Sequence, residues 1–302
     1  MVAFVDVYGR VELDRAFANH ADLLRLAGNL DDSLKWYAYS LCAGGGWVER
    51  DDSSSGRSSS SSRSSGRNKT DVNNDLSNLA TTQNSAKGSE EAIADGSDDE
   101  LPVPSSEATW VGVGQLRLEQ RNWEEAASAF NAALDICPRN VKAWTNLGLA
   151  LSQQRKDVQQ KLQQTVEHEQ SSKQELSKSV DDLFESAVRA FRTAASLSDF
   201  DTEPFCNLAL LLGEAGQHAA AVAALQDAAA RAATDRDLGS GGCSRAVEAD
   251  VQCRLGVALY DSGDLPGAMV AFEAALDLDP SNTNARANAA ALRAASVAAQ
   301  GQ

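Results

Sequence analysis

Of the 302 residues in the chain, 43 % are hydrophobic, and most of these are Ala and Leu, which favours helices over sheets. The 27 basic residues are outnumbered by 43 acidic ones, so the net charge is −16. Such a charge opposes binding to nucleic-acid backbones and to anionic membranes. The lack of any run of about eighteen apolar residues predicts that no helix spans a membrane.

The cysteines and histidines suggest neither a metal site nor a disulfide framework. No two cysteines are spaced as C-x-x-C, and none of the three histidines lies at ligand spacing from a cysteine or another histidine. The N-terminus lacks the basic start and long apolar stretch of a secretory signal. We expect a cytoplasmic protein, with an organelle or the cilium as open alternatives, and no metal or cofactor. The cysteines are interpreted as small core residues of a reduced compartment: Cys42, Cys137, Cys206, Cys243 and Cys253.

The first predicted element is a pair of helices. From about Val11 to Leu41, apolar residues recur at helical spacing, and Gly28-Asn29 marks a turn between two helices. Residues 1–48 are therefore interpreted as one helical hairpin. Because an isolated pair of short helices is only marginally stable in water, we expect this hairpin to stack on helices from later in the chain.

Residues 49–105 are predicted to form a disordered linker. They contain a serine- and arginine-rich run from Ser53 to Arg67, followed by polar acidic sequence with few large apolar residues to offset the entropy of ordering. Ser89 and Ser97 precede acidic residues and could accept phosphate from an acid-directed kinase. The alternative is an unmodified tether, since polar low-complexity segments need no such role.

From Glu107 onward the sequence repeats itself. Trp110 and Gly114 recur 34 residues later as Trp144 and Gly148, and this period is typical of a helix–turn–helix solenoid. With Glu107 as position 1, large, small or turn residues stand at positions 4, 8, 20, 24, 27 and 32: Trp110, Gly114, Ala126, Phe130, Ala133 and Pro138.

Further repeats begin at Val141, Thr202 and Ala249, and a capping helix is predicted over 283–299. The repeat array is thus assigned to 106–300, with approximate repeats at 107–140, 141–200, 202–235 and 249–282. The second repeat is interrupted, because Phe191 matches position 24 only if 27 residues are inserted before it.

This pattern resembles the tetratricopeptide repeat (TPR), in which small residues stand where helices cross and large residues fill the spaces between hairpins. Residues 1–48 resemble a degenerate repeat of the same kind. The resemblance implies an all-α fold, an α-solenoid of stacked antiparallel helix pairs that forms a TPR-like right-handed superhelix. It also implies a surface for partners, since solenoids seldom carry a reaction centre.

The insert in the second repeat, residues 152–182, is predicted to be a protruding helical hairpin. It has neither Pro nor Gly, and Val158 and Leu162 begin a series of apolar residues at the spacing that an antiparallel helical pair requires. The first helix is expected to continue to about His168, and the chain to turn near Ser171-Ser172. Whether this hairpin is a spacer or a second docking surface stays open.

The resemblance also assigns a binding face, because positions 2, 5, 6 and 9 of each first helix face the concave groove in this family. Position 6 is Asn in three repeats, and an Asn amide both donates and accepts hydrogen bonds, so a row of them can bind the backbone of an extended peptide. The alternative is that Asn is simply common at this position. The predicted partner-binding residues are Lys142, Asn146, Asn207, Arg254 and Asn288.

A more specific ligand can be compared with the sequence. Co-chaperones of this family hold the carboxyl terminus of heat-shock chaperones with Lys, Asn and Arg residues from three repeats. Asn207 and Arg254 match two of the five places, but the other three are Thr145, Leu149 and Asp250. An Asp where a carboxylate should bind repels it, so the sequence argues against this clamp.

We find no catalytic motif. The glycine run at Gly44 lacks the Lys-Ser/Thr of a phosphate-binding loop, and neither a nucleophile elbow nor an H-E-x-x-H motif occurs. The resemblance implies a non-enzymatic adaptor that binds a partner polypeptide in the groove and supports assembly of a larger complex, without nucleic acid or membrane insertion. Two alternatives are a chaperone-linked assembly factor that holds a client and a non-catalytic targeting subunit of an enzyme.

Overall fold

The computed structural model describes residues 7–44, 107–164, 170–238 and 243–300, and all regular secondary structure in these ranges is helical. The predicted linker, 49–105, lies outside the described residues. The described helices, numbered in chain order, are α1 (Val7–Leu26), α2 (Leu30–Gly44), α3 (Glu107–Glu119), α4 (Trp123–Ile136), α5 (Val141–Gln164), α6 (Gln170–Leu197), α7 (Glu203–Glu214), α8 (His218–Leu238), α9 (Arg245–Asp261), α10 (Leu265–Leu278) and α11 (Thr283–Gln300).

The chain divides into two compact units, residues 1–139 with α1–α4 and residues 140–302 with α5–α11. Within each unit, consecutive helices pack as pairs. The prediction of an all-α fold built from adjacent antiparallel helix pairs is confirmed.

In the first unit, the α1/α2 hairpin packs on α3. The Tyr37 ring of α2 is 1 % exposed and lies so close to Gly112 that a Cβ there would stand 2.5 Å from it. The buried hydroxyls of Ser40 and Thr109 are 3.0 Å apart and share a hydrogen bond. The two hairpins therefore share one core, as the marginal stability of a lone hairpin requires.

The turn between α1 and α2 lies at the predicted Gly28-Asn29. Gly28 has φ +79°, a left-handed conformation that costs Gly little and other residues more. Its backbone N–H donates to the carbonyl of Arg25, and that of Asn29 donates to Leu24, so the last carbonyls of α1 are satisfied.

In the second unit, the first helices of successive repeats, α5, α7, α9 and α11, contact one another side by side. The second helices, α6, α8 and α10, pack behind them, each against its own first helix and the next. The core between the two layers is apolar and contains, among others, Phe191, Leu208, Leu212, Leu225 and Leu255. The outer faces of the first helices, α5, α7, α9 and α11, therefore form one continuous surface.

A glycine on the first helix and an aromatic ring on the second set the distance between paired helices. A Cβ built on Gly148 would lie 2.6 Å from the Phe191 ring, and one built on Gly256 would lie 2.6 Å from the Phe272 ring. Gly114 has the same relation to Phe130 in the first unit, at 2.5 Å. The Gly stands at position 8 of the repeat and the aromatic residue at position 24. At this crossing the two helices are too close to admit any residue larger than Gly, which explains why the sequence has Gly there.

The insert forms the extended ends of α5 and α6. Val158 and Leu162 on α5, and Leu176 and Val180 on α6, are partly buried, as expected for a narrow apolar seam between two helices. The prediction that the chain turns near Ser171-Ser172 is wrong, because α6 begins at Gln170 and both serines lie in its first turn. Ser is only mildly unfavourable in a helix, so a pair of serines does not by itself produce a turn. His168 lies outside the described residues.

A buried carboxylate holds the chain where it re-enters α9. Asp235 of α8 is 0 % exposed and accepts a hydrogen bond from the backbone N–H of Cys243. Next to it, Arg236 pairs with the buried Glu248 of α9 at 2.7 Å. The end of α8 and the start of α9 are thus joined by polar groups, although residues 239–242 lie outside the described ranges.

Replacing Gly256 by Ala should lower the free energy of unfolding of the second unit by about 1–3 kcal/mol, because the new methyl group overlaps the Phe272 ring. The matched control is Gly213→Ala in the same unit, where a Cβ meets nothing within 4 Å. Ala there should leave stability unchanged or raise it by up to about 1 kcal/mol. Urea denaturation followed by circular dichroism measures both, and equal stabilities for the two variants would contradict the close crossing.

Asp235→Ala should destabilise the protein by about 1–3 kcal/mol, because it leaves the Cys243 N–H without its acceptor in a buried place. The control is Asp237→Ala on the same helix, whose side chain is 73 % exposed and which should change stability by less than about 0.5 kcal/mol. The same denaturation measurement separates them. If both variants unfold at the same urea concentration as the parent, the Asp235 carboxylate does not stabilise the connection between α8 and α9.

Candidate functional site

The outer face of the first helices in the second unit carries a row of side chains at helical spacing. On α7 the row includes Asn207, Leu210 and Glu214, and on α9 it includes Arg254 and Asp261. Side chains three and four residues apart share one face of a helix, so each helix contributes one stripe. Because α5, α7, α9 and α11 lie side by side, the stripes together form a surface, here called the first-helix face.

A cavity of about 550 Å³ opens on the first-helix face between α7, α9 and α11. This volume lies within the range of small-ligand and side-chain pockets. Its main lining residues on those three helices are Cys206, Leu210, Asp250, Arg254, Val257, Asn284 and Asn288.

These lining residues follow the repeat register. Cys206 and Leu210 stand at positions 5 and 9 of the third repeat, Val257 stands at position 9 of the fourth, and Asn284 stands at position 2 of the capping helix. One side of the cavity is therefore built from positions 2, 5, 6 and 9, each of which lines it on two of the three first helices.

The structure brings two of the predicted site residues together. Arg254 and Asn288 both line the cavity, whereas Asn207 lies next to its lining residue Cys206 and is half-buried. Lys142 and Asn146 are on α5 and do not line it; Lys142 is exposed and Asn146 is half-buried. The role of these five residues in binding stays a prediction.

The amides of Asn146 and Asn207 share an unusual property. In each, the amide nitrogen is buried and has no hydrogen-bond partner among the described residues. A buried donor without an acceptor costs about 1–3 kcal/mol. Rotation about χ2 exchanges the amide oxygen and nitrogen, so a ligand carbonyl could accept from this donor only after such a rotation.

The charges at the cavity are largely paired. Arg254 Nε lies 2.7 Å from Asp250 Oδ2, one helical turn away. Burial lowers the pKa of the Arg254 guanidinium, but the hydrogen bond and the charge of Asp250 act more strongly together and leave it raised. Lys156 of α5 reaches Glu214 of α7 at 2.8 Å. Arg254 is thus partly neutralised before any ligand arrives.

The two thiols at the cavity are protonated at neutral pH. Cys206 is 8 % exposed, and burial raises its pKa to about 11. Burial also raises the pKa of Cys253, with the charge of Asp250 acting in the same direction and a hydrogen bond with Asn288 acting against it. Nucleophilic cysteines need the thiolate, so neither thiol is poised for catalysis. Among the described residues, no three potential metal ligands come together.

Sequence reasoning missed the apolar and acidic part of this site. Leu210 is 56 % exposed and Val257 is 41 % exposed at the cavity, and Glu214 and Asp261 lie one turn further along the same helices. The sequence carried a signal for Leu210 and Val257, since position 9 faces the groove in this family. Glu214 and Asp261 stand at position 13, which is not one of the groove positions, so the repeat pattern carried no signal for them.

Two family models match the sequence. A TPR repeat model covers residues 114–154, and a tetratricopeptide repeat model covers residues 206–283. The chain is a tetratricopeptide-repeat protein. The resemblance drawn from the spacing of Trp, Gly, Ala and aromatic residues is thereby confirmed. TPR proteins are in general non-catalytic repeat scaffolds that bind other proteins.

Solved structures of TPR proteins are similar to this chain at low identity. TTC0263, a thermophilic TPR protein of Thermus thermophilus, has a TM-score of 0.47 and 12 % identity, covering 92 % of this chain and 98 % of its own. YrrB, described as a TPR protein with an unusual peptide-binding site, has a TM-score of 0.44 and 16 % identity over 89 % of this chain and 88 % of its own. With scores below 0.5, neither identifies a partner for this protein.

No curated protein sequence matches the TPR protein. Within the described ranges, none of its helices combines the length and the apolar character needed to cross a membrane.

The raised pKa of Cys206 predicts slow alkylation. With a pKa of about 11, the thiolate is a minor form at pH 8, and its fraction rises about tenfold per pH unit up to that pKa. Mass spectrometry of peptides after iodoacetamide treatment at several pH values measures the rate at this residue. The same protein in denaturing urea is the control and should react far faster at pH 8. Rapid labelling of folded protein at that pH would contradict a buried neutral thiol.

Proposed function

We propose that this TPR protein is a non-catalytic adaptor that binds an extended segment of a partner polypeptide on the first-helix face of its second unit. The observation that carries the proposal is the cavity between α7, α9 and α11, which is open, partly apolar and built from one set of repeat positions. An extended chain can follow such a surface from helix to helix, placing side chains in the cavity while its backbone meets the asparagine amides.

The asparagines supply the backbone contacts in this proposal. The unpartnered amide nitrogens of Asn146 and Asn207 lie on adjacent first helices, α5 and α7. A peptide backbone offers a carbonyl at every residue, so it can satisfy such donors whatever its side chains. Lys142, Arg254 and Asn288 complete the proposed contact set, and binding would bring the partner into a larger assembly.

A co-chaperone that grips an acidic chain terminus is the less favoured alternative. Its clamp needs free cations, whereas Arg254 is already 2.7 Å from Asp250. Releasing Arg254 from Asp250 would leave that carboxylate beside the incoming one, and like charges at short range are unfavourable.

The proposal can be tested by selecting peptides from a random 12-residue phage library on the full-length protein and measuring their affinity by calorimetry. Val257→Trp should fill the cavity and abolish binding, because Val257 is partly exposed and lines it. The matched control, Val270→Trp, is on α10, away from the cavity, and its side chain is 67 % exposed. It should bind like the parent. Equal binding by both variants would exclude the cavity as the site.

Asn146→Ala combined with Asn207→Ala should weaken binding of such peptides about tenfold, since two neutral hydrogen bonds are together worth about 1–3 kcal/mol. The melting temperature should not fall, because the change removes two unpartnered buried donors and Ala favours helices. Asn131→Ala, an exposed amide on α4, is the control. Calorimetry and thermal melts measure both effects, and unchanged affinity in the double variant would remove the asparagines from the site.

A further inference from the structure

We infer that the segment bound on the first-helix face carries a lysine or arginine within about two residues of an apolar side chain. This inference rests on the proposed function and names the chemistry of the partner. It is drawn from the order of apolar and charged residues along α7 and α9, and from which of these charges already have partners.

The middle of the cavity is apolar. Leu210 and Val257 stand at the same repeat position on neighbouring helices and both line it, with Ala209 and Ala258 beside them. Both large side chains are about half-exposed. An apolar side chain placed between them would cover this surface and remove it from water, which is favourable, so this part of the cavity favours a residue such as Leu, Met or Phe.

One end of the cavity is acidic. Glu214 and Asp261 are the last residues of α7 and α9, and both line the cavity there. The carbonyl end of a helix carries about half a negative charge, which adds to that of the carboxylates. Neither helix has a basic residue in its last turn. This end therefore attracts a cation from two helices at once.

The existing cations do not neutralise this end completely. Lys156 pairs with Glu214 at 2.8 Å, and Arg254 pairs with Asp250 at the opposite end. Among the described residues Asp261 forms no ion pair, and the remaining titratable group that lines this end is His218. Asp261 is thus the carboxylate that a ligand cation can pair with, without displacing a partner already present.

The spacing of the two features sets the spacing in the ligand. Asp261 follows Val257 by four residues, or about 6 Å along the helix axis. An extended chain that crosses from helix to helix advances about 3.3 Å per residue, and a long basic side chain can reach toward the end of the helices, so the cation should stand within about two residues of the apolar anchor. The net charge of −16 further favours encounter with a basic segment.

The test uses the peptides selected on the full-length protein. We expect their shared sequence to contain Lys or Arg within about two residues of Leu, Met or Phe. Asp261→Asn should weaken a selected synthetic peptide about three- to fivefold, as expected for one exposed ion pair. Replacing the basic residue of the peptide by Gln should cause the same loss, and the two changes together should cost no more than either alone. Asp277→Asn, on α10 and outside the cavity, is the control and should change nothing.

The outcomes separate this inference from the proposed function. Selected peptides that are blocked by Val257→Trp but carry acidic or uncharged residues, or that bind Asp261→Asn as tightly as the parent, would overturn the inference and leave the groove function standing. Peptides unaffected by Val257→Trp, or no selected peptide at all, would overturn both. Basic peptides blocked by Val257→Trp and weakened by Asp261→Asn would support both.

Discussion

The close crossing of paired helices controls most of the architecture of this protein. Where Gly148 meets Phe191 and Gly256 meets Phe272, the ring of one helix lies almost against the backbone of the other. Such a contact leaves no room for a side chain and fixes the separation and the angle of the pair. It is repeated along the chain, so each hairpin presents nearly the same two flanks to its neighbours, and stacking within each unit buries those flanks.

The first and second helices of each pair play different parts in this arrangement. The second helices use their aromatic and small residues in the core, whereas the first helices keep one face open. Residues at positions 2, 5, 6 and 9 consequently meet around one cavity although they belong to different repeats of the sequence. The cation Arg254 on that face is already paired with Asp250, so the face differs from one built to capture an acidic group.

The first unit shows the same principle with different chemistry. Tyr37 stands at the repeat position where most other repeats have Phe, and it packs against Gly112 of the next hairpin. Its hydroxyl donates a hydrogen bond to Asp22. The pKa of Tyr37 is raised, mainly by burial and secondly by this hydrogen bond. The hydroxyls of Ser40 and Thr109 are likewise satisfied by each other. A degenerate repeat can therefore keep its stacking contact when its polar groups find partners within the interface.

The sequence by itself determined the helical class, the register of the repeats and the positions of the close crossings, because a 34-residue period with Gly, Ala and aromatic residues at fixed places has few other physical explanations. It also determined the interruption of the second repeat, although not the residue at which the insert turns. Only the tertiary structure decided that Arg254 and Asn288 share a cavity with Leu210 and Val257, and that Lys156 of α5 pairs with Glu214 of α7 while Asp261 forms no ion pair within the described ranges. Local periodicity says which face of a helix a residue occupies. Which charges meet across that face depends on the packing of distant helices and on side-chain conformations, which no short-range pattern encodes.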